Sequence, residues 1–247
     1  MTQKAKDVRE PIFLNKIDII MGISQLNQKE HKELLDKIFN LSNPKDFLQE
    51  VQKKLEEERK KREYFYNEVA EFKKSEFILG KIIIHSPVKK EHNDVLKNLL
   101  RVIDNYVVKN NLGYIGIEKV LIALSRNDYE PDLCFFKNEK AKEFKEGQST
   151  FPAPDLVVEI LSKSTKSNDY GIKFEDYLAH GVTEYWIIDP IKKVIELYRI
   201  DDKNEYELIL KSGTGMIKSE IVKGFEIKIQ ALFDEKSSFE ELARILG

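Results

Sequence analysis

Three apolar segments with almost no polar alternation restrict the fold of this chain most strongly. They are Val120–Leu124, Leu133–Phe136 and Leu156–Leu161, and they are rich in valine, isoleucine, leucine and phenylalanine. A strand with one face in water alternates apolar and polar side chains, whereas a strand that is covered on both faces does not. We therefore predict that all three are central strands of a sheet with helices packed against it.

Helices and further strands flank these segments along the chain. From residue 75 onwards the predicted order is strand, helix, three strands, helix and strand, with a trailing β region. The other predicted elements are two strands in 77–84 hinged at Gly80, a helix from 86 to before 113, a helix over 168–180, a strand over 184–188 and a hairpin formed by 194–200 and 205–210. This pattern predicts an α+β fold with a mixed sheet.

The residues before 75 have a different character. Ten of the eleven residues from Lys53 to Glu63 are charged, and Asn43-Pro44 is typical of a helix start. We predict a helical, charge-rich extension over 1–74, a main domain over 75–230 and a helical tail over 231–247. The charged helix is either an oligomerisation or nucleic-acid arm or a solvated helix lying on the domain; mixed charges favour the solvated helix, because they cancel the field that phosphates need.

Composition excludes several classes of protein. The 41 Lys and Arg residues against 43 Asp and Glu residues give a net charge of −2, which disfavours a strongly basic nucleic-acid binder. No apolar run has the length of a membrane span, and residues 1–10 have no signal-peptide core, so a cytoplasmic protein is expected. The single cysteine, Cys134, excludes an internal disulfide and a cysteine-based zinc cluster.

Acidic residues accompany two of the apolar strands. Pro-Asp-Leu occurs twice, with Asp132 and Asp155 at the starts of strands, and Glu159 lies inside the apolar run LVVEIL. A carboxylate is costly to bury unless it is paired or binds a metal. If the two strands pair, Asp132 and Glu159 form an oxygen-rich site of the kind that Mg²⁺ or Mn²⁺ prefers. Asp155 is either a turn residue or a further acid of the site.

Basic and other polar residues follow this strand. Lys173 lies in the next predicted helix, from which its ammonium would orient a water molecule or stabilise charge on a phosphate. Lys163, Lys166 and Lys173 form either a phosphate funnel or only a polar loop. We interpret Asp169 as a helix cap. Glu76 and His92 are either surface residues or members of the site.

The stretch from Pro152 to Pro190, PAPDLVVEILSKSTKSNDYGIKFEDYLAHGVTEYWIIDP, resembles the Uma-two family of restriction endonucleases, within the PD-(D/E)XK nuclease superfamily. The upstream segments SEFILGKIIIHSP and YEPDLCFF, with His92 between them, are also similar to that family. The resemblance covers about residues 75–228.

The resemblance implies a restriction-endonuclease-like fold and Mg²⁺- or Mn²⁺-dependent hydrolysis of DNA, with dimers as a common arrangement. Asp132 would be the acid of the Pro-Asp motif and Glu159 that of the (D/E)XK motif, both as metal ligands. Leu161 stands where that motif has lysine, so Lys173 is the candidate for the catalytic lysine. This departure and the near-neutral charge favour two alternatives: a module of this fold that binds nucleic acid or protein without cleaving, and an assembly protein built on the helical extension.

Overall fold

The computed structural model describes residues 28–247, and the chain divides after Phe47 into two units. Of the predicted extension over 1–74, residues 1–27 therefore lie outside the described part. The first unit contains helix α1 (Gln28–Phe39) and the start of helix α2 (Pro44–Tyr64). Helix α2 begins at Pro44, where the sequence predicts a helix start. Its remaining turns belong to the second unit, residues 48–247, so the boundary at residue 74 stays a prediction.

A six-stranded mixed sheet forms the centre of the second unit. In spatial order its strands are β11 (Tyr206–Ser212), β10 (Val194–Ile200), β9 (Glu184–Asp189), β8 (Leu156–Ile160), β6 (Leu133–Lys137) and β3 (Gly113–Ile117). Strands β8 and β9 are parallel, and the other neighbouring strands of this sheet are antiparallel. The predicted α+β class with a mixed central sheet is confirmed.

A smaller five-stranded sheet lies in the same unit. Its strands, in spatial order, are β2 (Lys81–Ile84), β1 (Ser75–Ile78), β5 (Asp128–Tyr129), β4 (Leu121–Ala123) and β7 (Thr150–Phe151). The strand predicted over 120–124 forms as β4 and has a neighbour on each side, β5 and β7, but it belongs to this smaller sheet and not to the six-stranded one. The tight turn closed by the hydrogen bond from Leu124 N–H to the Asn127 carbonyl pairs β4 with β5. A two-stranded hairpin, β12 (Met216–Lys218) and β13 (Glu226–Lys228), follows later in the chain.

Strand β3 was not predicted, because two of its five residues are glycines, which weaken strand propensity. Gly113 is required there by a close approach between strands. A Cβ atom at this position would lie 1.9 Å from the Phe136 carbonyl oxygen of β6. Gly113 therefore follows the end of the preceding helix and also allows β3 to pair with β6.

Helices cover the central sheet. They are α3 (Lys90–Asn110), α4 (Asn138–Ala141), α5 (Lys166–Asp169), α6 (Ile172–Ala179), α7 (Gln230–Phe233) and α8 (Glu235–Leu246). The predicted apolar stripe of α3 is buried, with Val95, Leu99 and Val102 packed against side chains of β6, β8 and β9. Tyr177 of α6 belongs to a second core that includes Phe136 and Val157. In the described part of the chain, no helix is both long and apolar enough to cross a membrane.

The predicted helix over 168–180 is interrupted in the structure. Helix α5 ends at Asp169 and α6 begins at Ile172. At Gly171, a Cβ atom would lie 2.8 Å from the Ser167 carbonyl oxygen. The close passage of the backbone therefore requires glycine at this bend, which separates the polar loop from the helix that carries Lys173.

Arg62 anchors the second half of α2 to the smaller sheet. Its Nε and Nη2 atoms each donate a 2.7 Å hydrogen bond to the Asp128 carboxylate, which is completely buried. Tyr66 Oη donates to the same carboxylate at 2.7 Å. Every side chain of α2 is at least partly exposed.

We expect Arg62→Ala to lower the free energy of unfolding by about 2–3 kcal/mol, because the variant leaves the buried Asp128 carboxylate without its cation. Denaturant unfolding measures this loss. Arg59→Ala is the matched control, since Arg59 contacts only the exposed acids Glu56 and Glu63, and it should cause no measurable change. Equal losses in the two variants would contradict the anchoring role of Arg62.

Candidate active site

A cavity of about 610 Å³ opens at the carboxyl end of β8. Its wall contains Asp132, Glu159 and Lys173. Strands β6 and β8 run antiparallel with Leu133 opposite Val158, so one further step in register places Asp132 opposite Glu159. Residues that face each other in this way have Cβ atoms about 4.5–5.5 Å apart. The structure thus brings together the two acids that the sequence singles out, and the lysine with them.

Asp132 is held in a fixed orientation by three donors. Its Oδ2 atom lies 3.0 Å from His92 Nε2 and accepts a 2.8 Å hydrogen bond from the Ile160 backbone N–H. Its Oδ1 atom accepts a 3.0 Å bond from Lys74 Nζ. Burial opposes ionisation, but the His92 hydrogen bond and the Lys74 charge prevail and hold the pKa of Asp132 below its usual value. Asp132 is therefore a carboxylate at neutral pH.

Lys173 extends from the first turn of α6 into a group of acids. Its Nζ atom lies 2.7 Å from Glu76 Oε1, 3.0 Å from Glu159 Oε1 and 3.5 Å from Asp169 Oδ1. The lysine side chain is 2% exposed. Burial disfavours the charged form, yet the surrounding carboxylates raise the pKa of Lys173 well above its usual value. The ammonium therefore stays charged.

Three acids surround the single ammonium of Lys173, so their ionised forms repel one another more than Lys173 alone offsets. Burial, opposed by Lys173, raises the pKa of Glu159 well above its usual value, and the charges of Asp169, Asp132 and Glu76 raise it further. The pKa of Asp169 is also raised, first by burial. Tyr177 Oη donates a 3.1 Å bond to Glu159. A cluster of this kind is stabilised by a further cation.

Several residues of the cluster were left open or were missed by the sequence interpretation. Glu76 and His92 belong to the site and are not surface residues, at 1% and 6% exposure. Asp169 is not a helix cap, because Gly171 precedes α6 and the Asp169 carboxylate faces Lys173. Lys74 was not predicted, because it lies in the charge-rich region before the first strand.

Glu130 also lines the cavity and was not predicted, although it stands two residues before Asp132 in the Tyr-Glu-Pro-Asp run. Its Oε2 atom accepts a 2.7 Å hydrogen bond from the Ser75 backbone N–H. Burial raises the pKa of Glu130 to about 7, against the lowering effect of that bond. The sequence does contain a signal for Glu130: it is a second acid close to Asp132, which precedes a strand.

Asp155 lies apart from this cluster. Its Oδ2 atom accepts a 2.8 Å bond from the Lys137 backbone N–H, and its Oδ1 atom lies 3.1 Å from Lys140 Nζ. Glu159 is four positions further along the strand, about 13 Å at about 3.3 Å per residue. Because β6 and β8 are antiparallel, the two Pro-Asp motifs lie at opposite ends of the strand pair. The structure therefore does not bring Asp155 to Asp132 and Glu159.

The donors present fit a hard divalent cation. Within residues 28–247, no three side chains of His, Cys, Asp or Glu are arranged as a ready-made metal site. Mg²⁺, however, commonly takes only one or two protein carboxylates and completes its shell with water and substrate phosphate. Asp132 and Glu159 offer such a pair in the wall of one cavity, so the residues match this mode of binding.

Comparison with known proteins agrees with this architecture. Residues 55–230 match the model of the Uma2 family, described as "Putative restriction endonuclease". The match covers more than two thirds of the chain, and the chain belongs to this family. The resemblance found in the sequence is thereby confirmed, and the matched region begins earlier than residue 75, within α2.

A solved structure shares the fold. It is the crystal structure of a "putative nuclease belonging to DUF820" from Anabaena variabilis, with a TM-score of 0.56 and 23% sequence identity. The similarity covers 64% of this chain and 89% of that one. At this identity the likeness shows the fold alone. None of the curated proteins matches the chain.

Proposed function

We propose that the protein is an endonuclease that hydrolyses phosphodiester bonds of DNA with the help of Mg²⁺ or Mn²⁺. The observation that carries this proposal is the juxtaposition of Asp132, Glu159 and Lys173 in one cavity at the carboxyl end of β8. Membership of a family described as restriction endonucleases supports the reaction class.

Asp132 and Glu159 would supply the carboxylate oxygens that hold the ion. When bound, the ion supplies a Lewis acid for a phosphate oxygen and lowers the pKa of a coordinated water. Lys74 and His92 fix the position of Asp132 through their contacts with its two oxygens. This arrangement is preorganised, because the contacts exist before substrate enters.

Lys173 would act through its positive charge. Its raised pKa keeps the ammonium protonated, so it donates hydrogen bonds to a water or phosphate oxygen and does not remove a proton. Leu161, at the usual position of the motif lysine, is 7% exposed, while Lys173 reaches Glu159 from the following helix. These contacts support the substitution of Lys173 for the missing motif lysine.

Incubation with supercoiled plasmid tests the proposal. We expect nicking or linearisation of the plasmid in Mg²⁺ or Mn²⁺ and none in EDTA, because the two carboxylates need the ion to engage phosphate. RNA of similar length, in a parallel incubation, identifies the substrate class. Absence of plasmid cleavage with either ion would contradict the proposal and favour the alternative, a module of this fold that binds nucleic acid without cleaving it.

A further inference from the structure

A second cavity, of about 400 Å³, lies next to the candidate active site. It is lined by residues of α5 and its C-terminal end, of the turn between β9 and β10, and of strands β9, β10 and β11. Lys166 in its wall directly follows Thr165, which lines the first cavity, and Lys192 directly follows Ile191, which also lines the first. Two short backbone segments therefore border both cavities.

An exposed aromatic ring is fixed in the wall of this second cavity. Tyr170 is 38% exposed, and its Oη atom donates a 3.0 Å hydrogen bond to Oε1 of the buried Glu196. Tyr198 Oη donates to the other oxygen of the same carboxylate. Lys166 Nζ lies 5.8 Å from the centre of the Tyr170 ring. The ring is thus held in place by its hydroxyl while part of its surface stays open to a ligand.

The wall of the cavity carries three lysines, Lys166, Lys192 and Lys211, against two acids, Asp189 and Glu196, a net positive charge of one. Lys211 lies 2.9 Å from Glu196 and is paired with it. Asp189 accepts hydrogen bonds from the backbone N–H groups of residues 191 and 192 through its Oδ1 atom. Among residues 28–247, no carboxylate lies within ion-pair distance of Lys166 or Lys192, so two exposed ammonium groups remain available.

We propose that this cavity binds an unpaired nucleotide of the DNA strand next to the cleaved phosphodiester, with its base on Tyr170 and its phosphate at Lys166 and Lys192. An aromatic ring that stacks an unpaired base, beside lysines that contact the backbone, is a general mode of single-strand binding. Base-paired DNA does not offer the face of a base to such a ring. The position next to the cut rests on the proposed function, whereas binding of the strand does not.

Fluorescence anisotropy with a labelled twelve-nucleotide oligothymidylate tests this in EDTA, where no cleavage interferes. Lys166→Ala/Lys192→Ala should weaken binding and reduce the slope of log affinity against log salt by about 1.4, since each single-strand phosphate contact contributes about 0.7. The matched control is Lys203→Ala/Lys223→Ala, which removes two exposed lysines outside both cavities and should bind like the wild type.

Substitution of the ring provides the second measurement. Tyr170→Leu should lower the affinity for the oligonucleotide about tenfold, while Tyr170→Phe, which keeps the ring but loses its hydroxyl bond to Glu196, should lose clearly less affinity than Tyr170→Leu. Unchanged affinity in both Lys166→Ala/Lys192→Ala and Tyr170→Leu, or no binding by the wild type, would overturn the inference. If the plasmid stays intact but these variants lose affinity, the proposed cleavage fails and the binding site stands.

Discussion

Glu159→Gln is expected to lower the rate of plasmid cleavage by about 10³-fold or more. Glutamine keeps the size of the side chain but removes the negative charge that the metal would meet. It also removes one of the three acids that hold Lys173, at 3.0 Å from Nζ. The measurement is the initial rate of nicking at saturating Mg²⁺, with unfolding followed in parallel to show that the variant is folded.

Glu241→Gln is the matched control for this substitution. Glu241 is 2% exposed and is paired with Arg244 and Lys228, but it lies in α8, outside the cavity. We expect its cleavage rate to equal that of the wild type. If Glu159→Gln retained wild-type cleavage, or if both variants lost it equally, Glu159 would not be a residue of the active site.

Lys173→Met should be the most destabilising single substitution within the cluster. It leaves Glu76, Glu159 and Asp169 buried without their shared cation, and removal of one partner of a buried pair typically costs about 3–5 kcal/mol. We expect a loss of this size in the free energy of unfolding at pH 7, measured by denaturant titration in EDTA, together with loss of cleavage.

The loss should depend on pH in a defined direction. The pKa values of Glu159 and Asp169 are raised even with Lys173 present, and removal of its positive charge raises them further. Below the usual carboxyl pKa both acids are protonated in the folded and unfolded states, so they do not lower the free energy of unfolding. As the pH rises from the usual carboxyl pKa through the raised pKa values of the folded state, the two acids lower the free energy of unfolding. The free energy of unfolding of Lys173→Met should therefore fall further below that of the wild type.

A double variant separates this electrostatic cause from a packing defect. Glu76 is the acid nearest to Lys173, at 2.7 Å, and Lys173→Met/Glu76→Gln removes one of the three carboxyl groups that lose this ammonium. It should be more stable than Lys173→Met at pH 8, with a smaller difference at pH 5. A double variant that is less stable than Lys173→Met at both values would show that packing, and not charge, causes the loss.

The sequence identified the main residues of the candidate site because burial of charge has few explanations. Glu159 stands inside an apolar strand and Asp132 at the start of another, and the cost of burying carboxylates pointed to a common site. Lys173 followed from the helix after that strand. The central positions of β6 and β8 were predictable from their apolar runs, since strands without alternation are covered on both faces.

The parts that could not be predicted depend on pairing between distant segments. Nothing in the two Pro-Asp motifs distinguishes them locally, and only the antiparallel register of β6 and β8 places Asp132 beside Glu159 and Asp155 at the far end. The glycine-rich β3 has too little strand propensity to be recognised alone. Lys74 directly precedes β1, and its Nζ atom lies 3.0 Å from Asp132 Oδ1. The sequence does not indicate this contact, because it joins two distant segments of the chain.

Calorimetric titration of Mn²⁺ is the most direct test of the claim that Asp132 and Glu159 hold the catalytic ion. Asp132→Asn should weaken Mn²⁺ binding at least tenfold, because it removes a charged oxygen ligand. Asp155→Asn makes the same chemical change at the other Pro-Asp motif, outside the cavity, and should bind Mn²⁺ like the wild type. Wild-type affinity in Asp132→Asn, or an equal loss in both variants, would contradict the assignment.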